Sequence, residues 1–180
     1  TLKMLGDPKI ELPGNVDRGM AVCPPVDLAA CLENLALGWN RLYDRYFAKA
    51  CVRQVLDRAR KLREFAIPDD WRCDAEAVAE IRKRHGRQAV VCETASGWVA
   101  FRQPAGMREF DNAFTAPLAG YESADAYYEH CSSGQFVPGI KTPTVIVAAE
   151  DDPMIPVSTI RLLEPSSAVR VELTTGGGNL

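Results

Sequence analysis

The chain has 180 residues, 47% of them hydrophobic and 25% charged, enough for a sizeable core under a charged, water-facing surface. Its net charge of −3 gathers no positive field of the kind that nucleic acid requires. No apolar run approaches the ~20 residues of a membrane-spanning helix. The six cysteines are scattered with no C-x-x-C pair, and His85 and His130 are the only histidines, so no set has the spacing of a zinc site. Free thiols in a reducing cytosol are the simplest account. The expectation is a cytoplasmic protein with no metal and no cofactor.

In chain order, "TLKML" reads as the end of a helix stopped by Gly6. A turn-rich loop follows, then a short buried strand over 19–23, halted by Pro24 and Pro25. Asp27 stands where an N-cap belongs, before Leu28, Cys31, Leu32 and Leu35 at helical spacing. A long helix is expected over 39–65, with Leu42, Tyr46, Phe47, Ala50, Cys51, Leu56 and Leu62 as its apolar stripe. A further amphipathic helix fits 74–84, and the basic run "IRKRHGR" reads as its solvated end.

"QAVVCETASGWVAFRQ" reads as two strands around a turn. "PAGMREFDNAFTAPLAGYES" reads as loop, and Ser123 as the cap of a helix over 124–131. Residues 144–149 are β-branched or small without polar alternation, which predicts a strand covered on both faces. A short helix over 158–163 and a last strand, "AVRVELT", complete the order. Strands alternating with helices imply a parallel α/β sheet. The stretch between the first two of these sheet strands is too long for a simple crossover and predicts an inserted, mainly helical cap. The division is therefore 1–26 core, 27–137 cap and 138–180 core.

The strand over 144–149 runs straight into Glu150, Asp151 and Asp152. Three adjacent carboxylates repel one another. In α/β folds, however, the C-terminal ends of strands are where ligands and catalytic groups sit. A plain alternative is that one of them caps the next helix.

Four stretches resemble the YheT-like hydrolases and esterases of the α/β-hydrolase superfamily: "LKMLGD", "AVCPPVDL", "REFDNAFTAPLAGYESADAYYEHCSS" and "VPGIKTPTVIVAAEDDPMIP". The third is the most specific. The resemblance implies a partial α/β-hydrolase fold made of its C-terminal strands, and a parent that cleaves a small-molecule ester or lipid. It implies that Asp152 is the catalytic acid of a Ser-His-Asp system, in a Gly-x-x-Asp-x-x-x-Pro pattern whose Gly position is taken here by Ala149 and whose Pro position by Pro156, with Asp151 capping the following helix. The family's serine lies in a Gly-x-Ser-x-Gly elbow just before the helix that here ends in "LKMLG", so the nucleophile and the oxyanion donors are expected upstream of Thr1. Where the family carries Gly-Gly-His, this sequence has "TTGGGNL" with Asn179, which cannot act as a general base. Ser96 lacks the elbow glycine and is not expected to be a nucleophile. His85 and His130 read as structural. Trp39, Tyr43, Tyr46, Phe47, Trp71 and Trp98 either line an acyl cavity or, more simply, pack the cap's own core. The chain is thus expected to be a fragment that is inactive alone, and the competing reading is a non-catalytic, hydrolase-derived binding or scaffold protein.

Overall fold

The computed structural model describes residues 1–178 and divides the chain into two compact units. The first comprises Thr1–Asn40 and Tyr128–Leu180, and the second Arg41–Tyr127. The second unit thus lies inside the 27–137 interval.

In the first unit, β1 (Gly19–Val22), β5 (Thr144–Ala149) and β6 (Val169–Thr174) form a parallel sheet in the order β1-β5-β6. Gly19 pairs with Thr144 and Thr144 with Val169, so Ala21, Ile146 and Val171 share one face. Onto that face pack α1 (Leu2–Gly6) through Leu2 and Leu5, and α2 (Leu28–Leu35) through Cys31. Val137 of a 3-10 segment (Ser133–Gly139) and Ile160 of α8 (Val157–Arg161) join the same cluster. The opposite face is open among the described residues: Met20 and Val22 are 62% and 63% exposed, and Val145 and Val147 only half-buried. The expectation of a strand covered on both faces is therefore corrected. All four packing segments lie on one side of the sheet.

Local chemistry sets the helix starts. Asp27 Oδ1 accepts the Ala30 N–H at 3.0 Å, as expected of the N-cap of α2. Gly6 abuts the 3-10 segment so closely that a Cβ there would lie 1.9 Å from the Phe136 carbonyl oxygen. Only a residue without a side chain fits that contact.

The second unit holds α3 (Asn40–Lys61, entered from the first unit), β2 (Arg72–Cys73), α4 (Ala75–His85), β3 (Ala89–Thr94) and β4 (Gly97–Arg102). β3 and β4 form the expected hairpin, and β2 adds an antiparallel strand that gives the order β2-β4-β3. The unit is thus not wholly helical. Asp74 caps α4 through the Ala77 N–H at 2.8 Å, and the basic run is its exposed last turn, where cations suit the helix dipole. The buried stripe of α3 is Ala48, Val52, Val55, Leu56 and Ala59, which shares only Leu56 with the one predicted. Leu42, Tyr46 and Leu62 are exposed. The small Ala59 lets the hairpin approach the helix backbone, and its carbonyl accepts the Ala95 N–H at 3.1 Å.

The predicted loop after Pro104 is instead a helical run: α5 (Met107–Phe110), a π-helical turn (Asp111–Thr115) and α6 (Ala116–Leu118). Asp44 Oδ1 caps it from α3 by accepting the Met107 N–H at 2.7 Å. Glu109 folds back to the Ala105 N–H at 2.9 Å. Phe110 stacks on Phe114, and Phe114 on Trp71, which itself lies 3.8 Å from Phe101 between ring centroids. Gly106 and Pro117 read as breakers in sequence, yet they stand at a helix entrance and near the start of a helical turn, where both are tolerated. The expected helix over 124–131 is α7 (Ala124–Cys131), with Ser123 Oγ accepting the Ala126 N–H at 3.1 Å.

Ile146 is fully buried at the centre of the sheet. Ile146→Ala should cost about 2–5 kcal/mol of stability in denaturant unfolding, and Met20→Ala less than about 0.5 kcal/mol because its side chain is mostly in water. Equal effects of the two would contradict this sheet register.

Candidate active site

The three acids after β5 have three different environments. Glu150 is partly exposed and ion-paired with Arg161. Asp151 is exposed and packs against the turn that follows β6: Gly177 has φ +100°, and a Cβ on Gly178 would lie 2.9 Å from the Asp151 carbonyl oxygen. A residue with a side chain could follow that path only with strain, which accounts for glycines here. Asp152 alone is buried, at 9% exposure.

The Asp152 side chain turns back onto its own loop. Oδ1 accepts the Met154 N–H at 2.8 Å and the Ile155 N–H at 3.0 Å. This local turn corrects the expectation that Asp151 caps the next helix: Pro156 holds the N-cap position of α8, which has no side-chain cap. The loop is pinned from α2 and its C-terminal neighbour, since Asn34 Nδ2 and Asn40 Nδ2 each donate to the Pro153 carbonyl at 2.7 Å. Oδ2 is fully buried and has no hydrogen-bond partner of ordinary geometry among the described residues.

Cys23 and Cys31 flank this carboxylate. Cys23 ends β1 with φ +43°, a left-handed conformation that a non-glycine residue adopts at a cost on the order of 1–3 kcal/mol. Its N–H donates to the Val147 carbonyl at 2.8 Å. Burial raises the Cys23 thiol above its ordinary value, and the Asp152 and Asp151 carboxylates add to the rise. Burial first, then Asp27 and Asp152, push the Cys31 thiol up to about 12. Both thiols therefore stay protonated and poorly nucleophilic at neutral pH. A thiol is a weak donor, so neither replaces a nitrogen donor for Oδ2. The buried carboxylate can thus fix its own turn through one oxygen and offer the other to a donor of charge-assisted strength.

The other residues singled out in the sequence have local roles or lie apart. Ser96 is exposed at the hairpin tip, where its Oγ accepts from Arg72 at 3.3 Å and lies 3.3 Å from the Thr94 hydroxyl. His85 ends α4 in the second unit, and His130 is exposed on α7. Asn179 lies outside the described residues. Of the aromatics, Trp71 is core, whereas Trp39, Tyr43 and Tyr46 are exposed. No cluster of three or more metal-ligating side chains occurs among the described residues, and no helix among them is long and apolar enough to cross a membrane. Sequence reasoning missed Cys23, Asn34 and Asn40. The halt of β1 at Pro24 was a signal for Cys23. The two asparagines gave none, because their partner lies more than 110 positions away.

The thiol environment has a measurable consequence. The folded protein holds the Cys31 proton to higher pH than the unfolded chain does, whose thiols titrate near 9.0. The associated stability is intact below pH 9 and lost as pH rises toward 12. Denaturant midpoints should therefore fall between pH 8 and pH 10.5, and fall less in Cys31→Ala. Parallel slopes for the two proteins would contradict this burial.

Comparison with known proteins adds identity to this geometry. The chain is 29% identical over 168 residues to the putative esterase YheT of Escherichia coli strain K12, covering 92% of this chain and 41% of the relative. It is 37% identical over 75 residues to a monoacylglycerol lipase of Saccharomyces cerevisiae, covering 39% of this chain and 16% of the relative. A medium-chain fatty acid ethyl ester synthase/esterase 2 of the same yeast is 35% identical over 74 residues, 41% of this chain and 16% of the relative. The chain thus spans less than half the length of each of these relatives. No family model matches it, and no solved structure does. Taken with the parallel sheet, these likenesses show that the chain is similar to the putative esterase YheT and that its fold is consistent with part of an α/β-hydrolase fold.

Proposed function

We propose that these residues belong to a cytoplasmic hydrolase that cleaves carboxylic esters of small-molecule or lipid type by a Ser-His-Asp mechanism, with Asp152 as its acid. One observation carries the reading: Asp152 is buried, spends one oxygen on its own turn and has for the other no nitrogen or oxygen donor among the described residues, only the weakly donating Cys23 thiol standing beside the carboxylate. The magnitudes favour function over stability. A local cap contributes about 0.5–2 kcal/mol, whereas a buried polar atom without a partner costs about 1–3 kcal/mol, and more when charged.

In this mechanism Asp152 Oδ2 accepts the Nδ1–H of a histidine, fixes its tautomer and stabilises the imidazolium that forms when the serine loses its proton. The serine then attacks the ester carbonyl and the alcohol leaves, giving an acyl-enzyme that water hydrolyses. The 180 residues contain no Gly-x-Ser-x-Gly, so the serine elbow is assigned to chain outside them, and neither His85 nor His130 is assigned the imidazole's role. The interval 27–137 is assigned to a cap over the acyl pocket. Six free cysteines suit a reducing cytosol. The relatives named as esterases and a monoacylglycerol lipase support the reaction class.

Two assays test this reading. The 180-residue chain should hydrolyse p-nitrophenyl acetate no faster than buffer. In a protein that joins these residues to a Gly-x-Ser-x-Gly segment encoded upstream, Asp152→Asn should lower kcat by on the order of 10³–10⁴ and leave KM within a few-fold. Turnover by the 180 residues alone that is lost on Asp152→Asn, or a longer protein in which Asp152→Asn keeps more than half of kcat, would overturn it.

A further inference from the structure

The parallel sheet of the first unit ends at β6, and no strand pairs with its outer edge among the described residues. The ladder decides which backbone groups lie there. The Thr144 N–H donates to the Ala168 carbonyl and the Glu150 N–H to the Thr174 carbonyl. The even-numbered residues of β6 thus face β5, and Val169, Val171 and Leu173 direct their backbone groups outward. The Val169 N–H is taken by the Ser166 carbonyl at 3.0 Å. The Val169 carbonyl and both backbone groups of Val171 and Leu173 have no backbone partner among the described residues. Arg170 and Glu172 stand in register with Val145 and Val147, on the open face of the sheet. Both are exposed, and they pair with each other at 2.7 Å. Edges that resist pairing carry lysines, prolines or bulges. This edge instead carries one charge of each sign, two residues apart.

From the outward backbone groups and this self-complementary charge pair we infer that β6 pairs antiparallel with β6 of a second copy, about a two-fold axis at Val171. In that register Val171 exchanges both of its hydrogen bonds with its own copy, and the Leu173 N–H donates to the other copy's Val169 carbonyl. Arg170 then lies opposite the other copy's Glu172, and Glu172 opposite its Arg170, as closely spaced cross-strand neighbours. The two pairs already present within the strands and the two between them close a ring of four alternating charges, a network rather than an isolated surface pair. A shift of the axis to Val169 or Leu173 would leave Arg170 without an opposing acid, so the charges select the register. Leu173, 38% exposed, and the half-buried Val171 gain apolar cover from the other strand. The pairing is isologous and closes at two copies. The sheet's other edge, β1, has only four residues and no charge among them to fix a register. All the residues involved belong to the first unit, and none takes part in the chemistry assigned to Asp152.

Sedimentation equilibrium of the intact 180-residue chain tests the pairing, from about 10 μM to about 1 mM because a small interface binds weakly, and at low salt because exposed charges are screened. The chain should follow a monomer–dimer equilibrium with no larger species. Arg170→Glu and Glu172→Arg should each weaken the dimer at least about fivefold, since each sets like charges opposite one another at both cross-strand positions. An equimolar mixture of the two variants should associate at least as tightly as the original chain, because a doubly negative strand then meets a doubly positive one. Loss of the Arg170–Glu172 pair inside one chain could not be repaired by mixing, and recovery on mixing also shows that both variants are folded. No dimer, open-ended growth beyond the dimer, either variant pairing with itself as tightly as the original chain, or a mixture no tighter than its components would each overturn the assignment. No ester or turnover enters the measurement, so its failure leaves the hydrolase reading untouched, and the reverse also holds.

Discussion

The site rests on the parallel pairing of β5 with β1 on one side and β6 on the other. That pairing places the end of β1, the acids after β5 and the glycine turn after β6 at the same rim of the sheet. Parallel strands all deliver their C-terminal ends to one edge, which is why α/β folds concentrate chemistry there. Ile146 anchors the arrangement by filling the centre of the packed face. Without that anchor the acids would be loop residues in water, and their neighbouring charges would only repel.

The three carboxylates then show how one short stretch divides its labour by burial. Glu150 is held by a surface arginine, an interaction worth little because solvent screens it. Asp151 supports the close approach of the glycine turn. Asp152 is taken out of water and held by two backbone N–H donors. The two asparagines on the Pro153 carbonyl stiffen the loop that carries it. The role proposed for Asp152 needs this combination of a fixed position, one satisfied oxygen and one oxygen in reserve.

Much of this was legible in the sequence wherever the signal was local. Asp27, Asp74 and Ser123 announced helices because an N-cap speaks to residues two or three positions away. The hairpin around 94–97 and the strand over 144–149 followed from β-branched runs bounded by turn formers. The failures were non-local. The helical run from Met107 to Leu118 is capped from Asp44, a partner that no window around Gly106 contains. The buried face of α3 shares only Leu56 with the predicted stripe, because the hairpin packs where Ala59 lets it come close and no window along the helix shows that partner. The open face of the sheet was hidden because an unalternating apolar strand reads the same whether one or both of its faces are covered. At the site, strand-end position and the spacing to Pro156 singled out Asp152. They could not show that its oxygens are treated differently, since that depends on the fold of its own loop.

The most direct measurement of the central claim is an experimental structure of a protein containing these residues together with their upstream elbow. The account predicts that Asp152 Oδ1 stays on the Met154 and Ile155 amides while Oδ2 accepts a hydrogen bond from an imidazole nitrogen at about 2.6–3.2 Å. An Oδ2 turned to solvent, or paired with a lysine or arginine, would contradict it.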